Sequence, residues 1–375
     1  MKEGWEYKKL GEVTSTINGL WTGKKPPFIN VAVVRNTNFT KDCKLDMTNV
    51  AYLDVEEKQF STRKLQYGDI IIEKSGGSEK QPVGRPVLFN IKEGNYSFSN
   101  FTSTLRINNK SELEPHFLHY SLVGAYFRGA TSKMQAKTTG IHNLDFKAYL
   151  RLLIPIPTIE EQQQIVSELD LLSGIIEKQK AQLEELDKLA QSIFHDMFGD
   201  PCNNHKNFEV KPIEKVCILK AGKAIKAEEL LDYSENLYPC YGGNGIRGYI
   251  NRFSHDGTFP IIGRQGALCG NVNLANGQFY ATEHAVVVTP IIDLNAIWLY
   301  YVLLNMRLGQ YAHGVAQPGL SVKDISPLLM ILPPLSLQQE FAAKVEAIEA
   351  MKTKVRQSLK EAETLFNERM DYYFN

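Results

Sequence analysis

Cysteine is scarce and poorly placed for either of its structural uses. The five residues (Cys43, Cys202, Cys217, Cys240 and Cys269) are odd in number, widely spaced and never arranged as C-x-x-C. Neither a disulfide framework nor a zinc knuckle is therefore expected, and a reducing compartment is. Long apolar runs are missing as well. None approaches the ~18 residues that span a bilayer, and the opening MKEGWEYKKLG has no apolar stretch behind its lysines. The expectation is a soluble, cytoplasmic chain with no membrane partner. Net charge is absent too, since 42 Lys and Arg balance 42 Asp and Glu, which taken alone argues against a nucleic-acid binder.

What is present is ordinary globular material: 375 residues, 43% apolar, 22% charged and 10% aromatic, enough for two or three domains. The charge is segregated rather than absent. Residues 1–155 carry 22 basic and 15 acidic side chains, whereas 156–200 carry 3 and 10. Residues 201–332 carry 11 and 10, and 333–375 carry 6 and 7. A basic first segment thus sits beside an acidic one.

Two segments show helical periodicity over unusual length. In 159–197, Leu169, Leu172, Ile176, Gln179, Leu183, Leu186, Ala190, Ile193 and Met197 alternate at spacings of three and four, the mark of a coiled-coil seam. Shifted by 176 residues, the same frame reads Val345, Ile348, Lys352, Val355, Leu359, Ala362, Phe366, Arg369 and Tyr373. Each segment opens on prolines and a Gln pair, PIPTIEEQQQI (155–165) and LPPLSLQQEF (332–341). Recurrence at a constant offset indicates duplication. The preceding segments correspond as well: Trp5, Leu10 and Val13 with Phe208, Ile213 and Val216; IIEKSG (71–76) with IIGRQG (261–266); FLHY (117–120) with WLYY (298–301).

The expected fold is α+β, with two mixed domains (1–155 and 199–332) alternating with two long helices (156–198 and 333–375). Short strands such as 68–73, 102–107, 259–262 and 285–289, and short helices around 115–127 and 295–308, are expected inside the domains. A helix of ~39 residues rises ~58 Å. For the second helix to bury its stripe on the first, the pair must run antiparallel, with a pseudo-two-fold axis across it. Duplex DNA has two-fold axes of its own, so two domains on a spacer suit a site read in two pieces.

Catalytic signatures are weak. GLWTGKK (19–25) has three residues between its glycines and no Ser or Thr after Lys, unlike a phosphate loop. KPPF (25–28) puts lysine where an adenine methyltransferase loop needs a hydrogen-bond acceptor. YGGNG (241–245) reads as a tight turn. Asp69, Glu73 and Lys74 lack the spacing of a metal-dependent nuclease, and His116 and His119 have no third ligand nearby. The residues point to recognition rather than chemistry.

The alternation of domain and long helix, with PIPTIEEQQQI and LPPLSLQQEF opening the helices, resembles the specificity (S) subunit of type I restriction-modification systems over nearly the whole chain. GDIIIEKSGGSEKQPVGR (68–85) is similar to that family's recognition-domain loop, as are YGGNGIRGYI (241–250), IIGRQGALCGNV (261–272), ATEHAVVV (281–288) and AQPGLS (316–321). The resemblance implies a non-catalytic DNA reader in which each domain reads one half of a bipartite, asymmetric site and the helices set the gap. It also implies two methyltransferase (M) subunits docked on the helices, with S-adenosylmethionine bound there and no cofactor or metal in this chain, and restriction (R) subunits that join them. A fused methyltransferase or nuclease, and a scaffold unconnected with DNA, are the competing classes.

Loop chemistry supplies the candidate DNA contacts. Lys74, Ser75 and Gly76, and in register Arg264, Gln265 and Gly266, put a cation, a polar residue and a glycine at a strand end. Arg85 closes the first of these loops. Lys133, Gln135, Lys137, Thr138 and Thr139, with His313 and Gln317 in the second domain, form another polar set. Lys24, Lys25, Arg35, Asn36, Asn244, Arg247 and Arg252 are chosen for cationic or amide chemistry in loops. Glu177, Glu184, Glu185 and Asp187 lie off the seam, either as a solvated face or as a docking surface for M.

Overall fold

The computed structural model describes every residue except 1, 3, 22, 24, 80, 139, 140 and 315–317, together with the side chains of 137, 138 and 141. It resolves into two compact units. Unit 1 comprises Met1–Lys178 and Leu359–Asn375, and unit 2 comprises Gln179–Ser358. The two long helices, Ile159–Phe198 and Leu335–Phe374, each contribute residues to both units.

The units repeat one topology. In unit 1 a four-stranded antiparallel sheet has the order Thr14–Asn18, Thr102–Ile107, Asp69–Glu73, Pro86–Phe89. In unit 2 the same order is filled by Cys217–Ala221, Ala285–Pro290, Phe259–Gly263 and Val272–Ala275. The central strand of unit 1 reads Asp-Ile-Ile-Ile-Glu because both its faces are covered: Ile70 and Ile72 join one core cluster and Ile71 joins another. In unit 2, Ile262 and Ile261 divide in the same way. A second sheet pairs strands both antiparallel and parallel: Ala51–Glu56, Phe28–Val34 and Tyr96–Phe98 in unit 1, with Gly245–Ile250, Tyr238–Gly242 and Gln278–Ala281 as counterparts. A two-stranded ribbon leads into each long helix, Glu6–Lys9 with Leu153–Ile156 and Glu209–Pro212 with Leu329–Leu332.

One short helix per unit packs on the four-stranded sheet. Pro115–Phe127 starts where the Glu114 carboxylate accepts from Phe117 N–H at 2.7 Å, with Pro115 in the first turn. Ala296–Asn305 starts on Asn295, whose side chain accepts from Ile297 and Trp298 N–H. The Gln pairs opening the long helices explain themselves here. Gln162 is fully buried; its amide donates to the carbonyls of Glu112 and Pro157 and accepts from Glu114 N–H at 2.8 Å. Gln338 makes the corresponding bonds to Pro333 O and Asn295 N–H. Each buried glutamine therefore ties the start of a long helix to the cap of a short one, while Gln163 and Gln339 face solvent.

The expected seam residues are unevenly buried. Leu169 and Leu172 are buried in unit 1, as are Val345 and Ile348 in unit 2; Ile176, Leu183, Leu186, Ile193, Val355, Leu359 and Phe366 are half-buried. In unit 2 the helices run antiparallel, with Gln179 meeting Ser358, Asp187 meeting Lys352 at 2.6 Å, and Phe194 meeting Phe341. The cationic breaks are satisfied. Lys352 binds Asp187 and Glu349, and in unit 1 Arg369 binds Glu168 at 2.8 Å. The heptad phase fails at one end: Phe194 and Phe198, rather than Ile193 and Met197, are the fully buried anchors, because that turn packs onto Trp298 and Phe341 of the unit 2 core.

Candidate nucleic-acid interface

In unit 1 the central strand ends at Glu73, and the chain then forms a short strand, Ser75–Gly77, beside Ile141–Leu144, which pairs in turn with Gln135–Thr138. The Asn36 amide donates to Ser75 O at 3.3 Å. Gly76 has φ +104°, a backbone conformation that favours glycine, and a Cβ there would displace that same amide nitrogen, which lies 2.7 Å away. Asn36, Lys74–Gly76 and the 135–138 strand are thereby brought to one surface, with Arg35 exposed at its margin and Lys133 exposed just before the 135–138 strand. Lys74 Nζ donates to Asn18 Oδ1 at 3.1 Å, and burial lowers the pKa of its ammonium.

Three candidates in unit 1 are placed otherwise. Arg85 is buried: its guanidinium meets Glu73 at 2.8 and 2.9 Å and donates to the carbonyls of Phe39 and Thr40 at 2.9 and 3.3 Å. It is a brace under the loop and has no donor to spare for DNA. Gln135 spends its amide on Val83 N–H, Val83 O and Thr131 O, holding its own turn in place. Lys25 lies at the far end of Phe28–Val34, a strand of ~23 Å, with its N–H on Glu56. Lys24 and Thr139, and Gln317 in unit 2, fall outside the described residues, as do the side chains of Lys137 and Thr138.

Unit 2 builds the corresponding surface as a cleft of about 470 Å³ lined by Gly243, Asn244, Gly245, Ile246, Arg247, Gln265, Gly266 and His284. Two glycines let its walls touch, since a Cβ at Gly263 would lie 1.9 Å from Gly243 O. Gln265 and His313 both bridge to Gly319, which carries His313 next to the loop, its ring 3.4 Å from Asp324. Arg264 is in register with Lys74 as expected: its carbonyl accepts from Leu320 N–H as that of Lys74 accepts from Leu144 N–H. Arg252 departs from the set, being paired with Glu229 at 2.7 Å and lying over the Tyr280 ring. Asn18 and His284 were missed by sequence reasoning: Asn18 is the last residue of the strand Thr14–Asn18, and His284 sits in no cationic or glycine-rich loop.

The residues weighed for chemistry have structural partners. Asp69 holds Arg106 at 2.7 and 2.8 Å and Glu73 holds Arg85. His116 binds Glu114, and burial depresses the His119 pKa to about 4, a shift partly offset by its bonds to the Cys43 and Pro86 carbonyls. Among the acidic helix residues, Glu177 binds Lys44, Asp187 binds Lys352 and Glu185 binds Lys188. Three of the four residues considered as a docking face are thus engaged within the chain. No helix among the described residues is long and apolar enough to cross a membrane.

A family model described as "Type I restriction modification DNA specificity domain" matches residues 2–187 and 205–363, once per repeat. The type I restriction enzyme EcoprrI specificity subunit of Escherichia coli is 36% identical over 222 residues, 56% of this chain and 55% of that protein, so the chain spans about half the length of that relative. The putative type I restriction enzyme MjaX specificity subunit of Methanocaldococcus jannaschii is 22% identical over 92% of this chain and 87% of its own length. The crystal structure of a type I restriction-modification S subunit from M. genitalium has a TM-score of 0.61 at 15% identity, covering 99% of this chain and 96% of that one.

Proposed function

Because this chain belongs to the type I restriction-modification DNA specificity family, we propose that it reads a bipartite, asymmetric DNA site, one half by each unit, and performs no chemistry itself. The observation that carries this is the repetition of one surface with different side chains. Asn36 with Lys74-Ser75-Gly76 in unit 1 is matched by Asn244 and Arg247 with Arg264-Gln265-Gly266 in unit 2. Equivalent backbones bearing non-equivalent side chains read two different half-sites.

Partners follow from the same reading. Two M subunits dock on this chain and bring S-adenosylmethionine and adenine methylation; R subunits join that core and cleave unmethylated DNA. The basic excess of residues 1–155 assigns most phosphate contact, and most salt dependence, to the first half-site.

The test is co-expression with the neighbouring methyltransferase subunit in a methylation-free host, followed by single-molecule mapping of N6-methyladenine. A split motif with a fixed unspecified gap is the expected result. A stable chain that forms no complex with M and shifts no DNA in a gel would overturn the reading in favour of a scaffold.

A further inference from the structure

A two-residue turn beside the central loop of each unit is absent from the candidate set above, although the backbone puts it in direct contact with that loop. In unit 2, Arg264 N–H donates to His284 O at 3.1 Å, and in unit 1 Lys74 N–H donates to Phe101 O at 2.9 Å. The turns are equivalent throughout: Ala285 N–H bonds Thr282 O as Thr102 N–H bonds Ser99 O, each at 3.0 Å. Glu283-His284 in unit 2 therefore stands where unit 1 has Asn100-Phe101.

The unit 2 turn is underpaired. His284 lines the cleft with Gln265 and Arg247. Its Nε2 lies 3.1 Å from Glu283 Oε1, while His284 Nδ1, Glu283 Oε2 and the hydroxyl of the fully buried Thr282 have no hydrogen-bond partner among the described residues. Shielded polar atoms without partners are rare in folded proteins, and a group of them at one concave surface calls for an explanation. The side chains of His284 and Glu283 stay about a third exposed, at 36% and 38%, so a side-chain rotation of the kind common at interfaces presents the free atoms to a ligand.

Resting on the proposed DNA reading, we infer that Glu283-His284 is a specificity determinant of the unit 2 half-site, selecting a base with an exocyclic amino group in the major groove. With the ring proton on Nε2, the nitrogen that faces Glu283 Oε1, Nδ1 is an acceptor, and the second carboxylate oxygen is an acceptor as well. Two acceptors complement the amino group of cytosine or adenine and repel the carbonyl edge of guanine or thymine. Asn100-Phe101 has different chemistry. Its amide suits adenine, and the half-exposed ring of Phe101 suits a thymine methyl.

The experiment transplants the turns in the full chain, co-expressed with the methyltransferase subunit and read by methylome mapping. The double substitution Glu283→Asn and His284→Phe is expected to change base preference in one half-site and leave the other half and the gap intact. Asn100→Glu with Phe101→His is expected to change the opposite half only. The milder Glu283→Gln and His284→Gln keep size and polarity, and each is expected to raise methylation of near-cognate relative to cognate sites about tenfold. An unchanged motif and ratio in both the transplant and the mild variants would overturn the inference. Absence of any bipartite motif with the parent chain would instead overturn the DNA reading beneath it.

Discussion

Arg85 separates a structural arginine from a DNA contact. Its five N–H groups are committed to both oxygens of Glu73 and to the carbonyls of Phe39, Thr40 and, at 3.4 Å, Asn36. Both partners of the ion pair are nearly inaccessible, at 5% and 2% exposure. Arg85→Ala leaves a buried carboxylate with no counter-charge, a loss of about 3–5 kcal/mol. Against total stabilities of about 5–15 kcal/mol this is severe, and it lowers Tm by roughly 10 °C for a unit of this size. Charge accounts for most of the loss: the joint substitution Glu73→Leu and Arg85→Met removes both ions and is expected to recover the larger part of it. Urea denaturation followed by amide hydrogen exchange makes the measurement, because exchange locates the loss in unit 1. DNA affinity falls as a consequence, since the brace carries the turn that holds Asn36. The reasoning is refuted if Arg85→Ala changes stability by less than about 0.5 kcal/mol while reducing the salt dependence of DNA binding, as loss of a phosphate contact would.

Three further outcomes are expected. Lys74→Ala and Arg264→Ala should leave stability nearly unchanged and each flatten the dependence of log K on log salt by about 0.9, the value of one phosphate contact; a constant slope in the M-bound complex argues against phosphate contact at both positions. Gln162→Leu and Gln338→Leu should each cost about 2–4 kcal/mol in urea denaturation, because the cap N–H and the proline carbonyl lose their side-chain amide partner, whereas Gln163→Leu and Gln339→Leu on the exposed face should stay within about 0.5 kcal/mol. His119 should make stability depend on pH. Its pKa in the fold is about 4 against an ordinary 6.5, so between these values the unfolded chain binds the extra proton. Stability is then level above about pH 6.5 and falls by roughly 3 kcal/mol as pH drops toward 4. Comparing denaturation of the parent and His119→Gln across pH 4–7 isolates the effect, and parallel curves would count against it.

What was legible from the residues alone was what local periodicity or duplication encodes. The long helices announce themselves because a stripe every three and four residues repeats over ~39 positions. The strand Thr102–Ile107 and the helix Pro115–Phe127 were found because a β-rich run punctuated by Gly, Asn and Pro is a local signal. Duplication then supplied the register of Lys74 with Arg264, which no single copy reveals. What stayed hidden depends on partners distant in sequence. Arg85 looks like any cation after a glycine until Glu73, twelve residues earlier, is seen to take both ends of its fork. Gln135 looks like a base reader until Val83 occupies its amide. Phe194 and Phe198 fell one position off the heptad frame because a two-helix seam predicts one neighbour, and their turn meets the short helix at Tyr301 and Trp298 as well as Phe341 of the second long helix. The same logic orders the interface residues by trust. A polar side chain on a loop is a candidate reader only after its internal partners are counted. On that count Arg85, Gln135 and Arg252 leave the set, and His284, with a free ring nitrogen at the cleft, enters it.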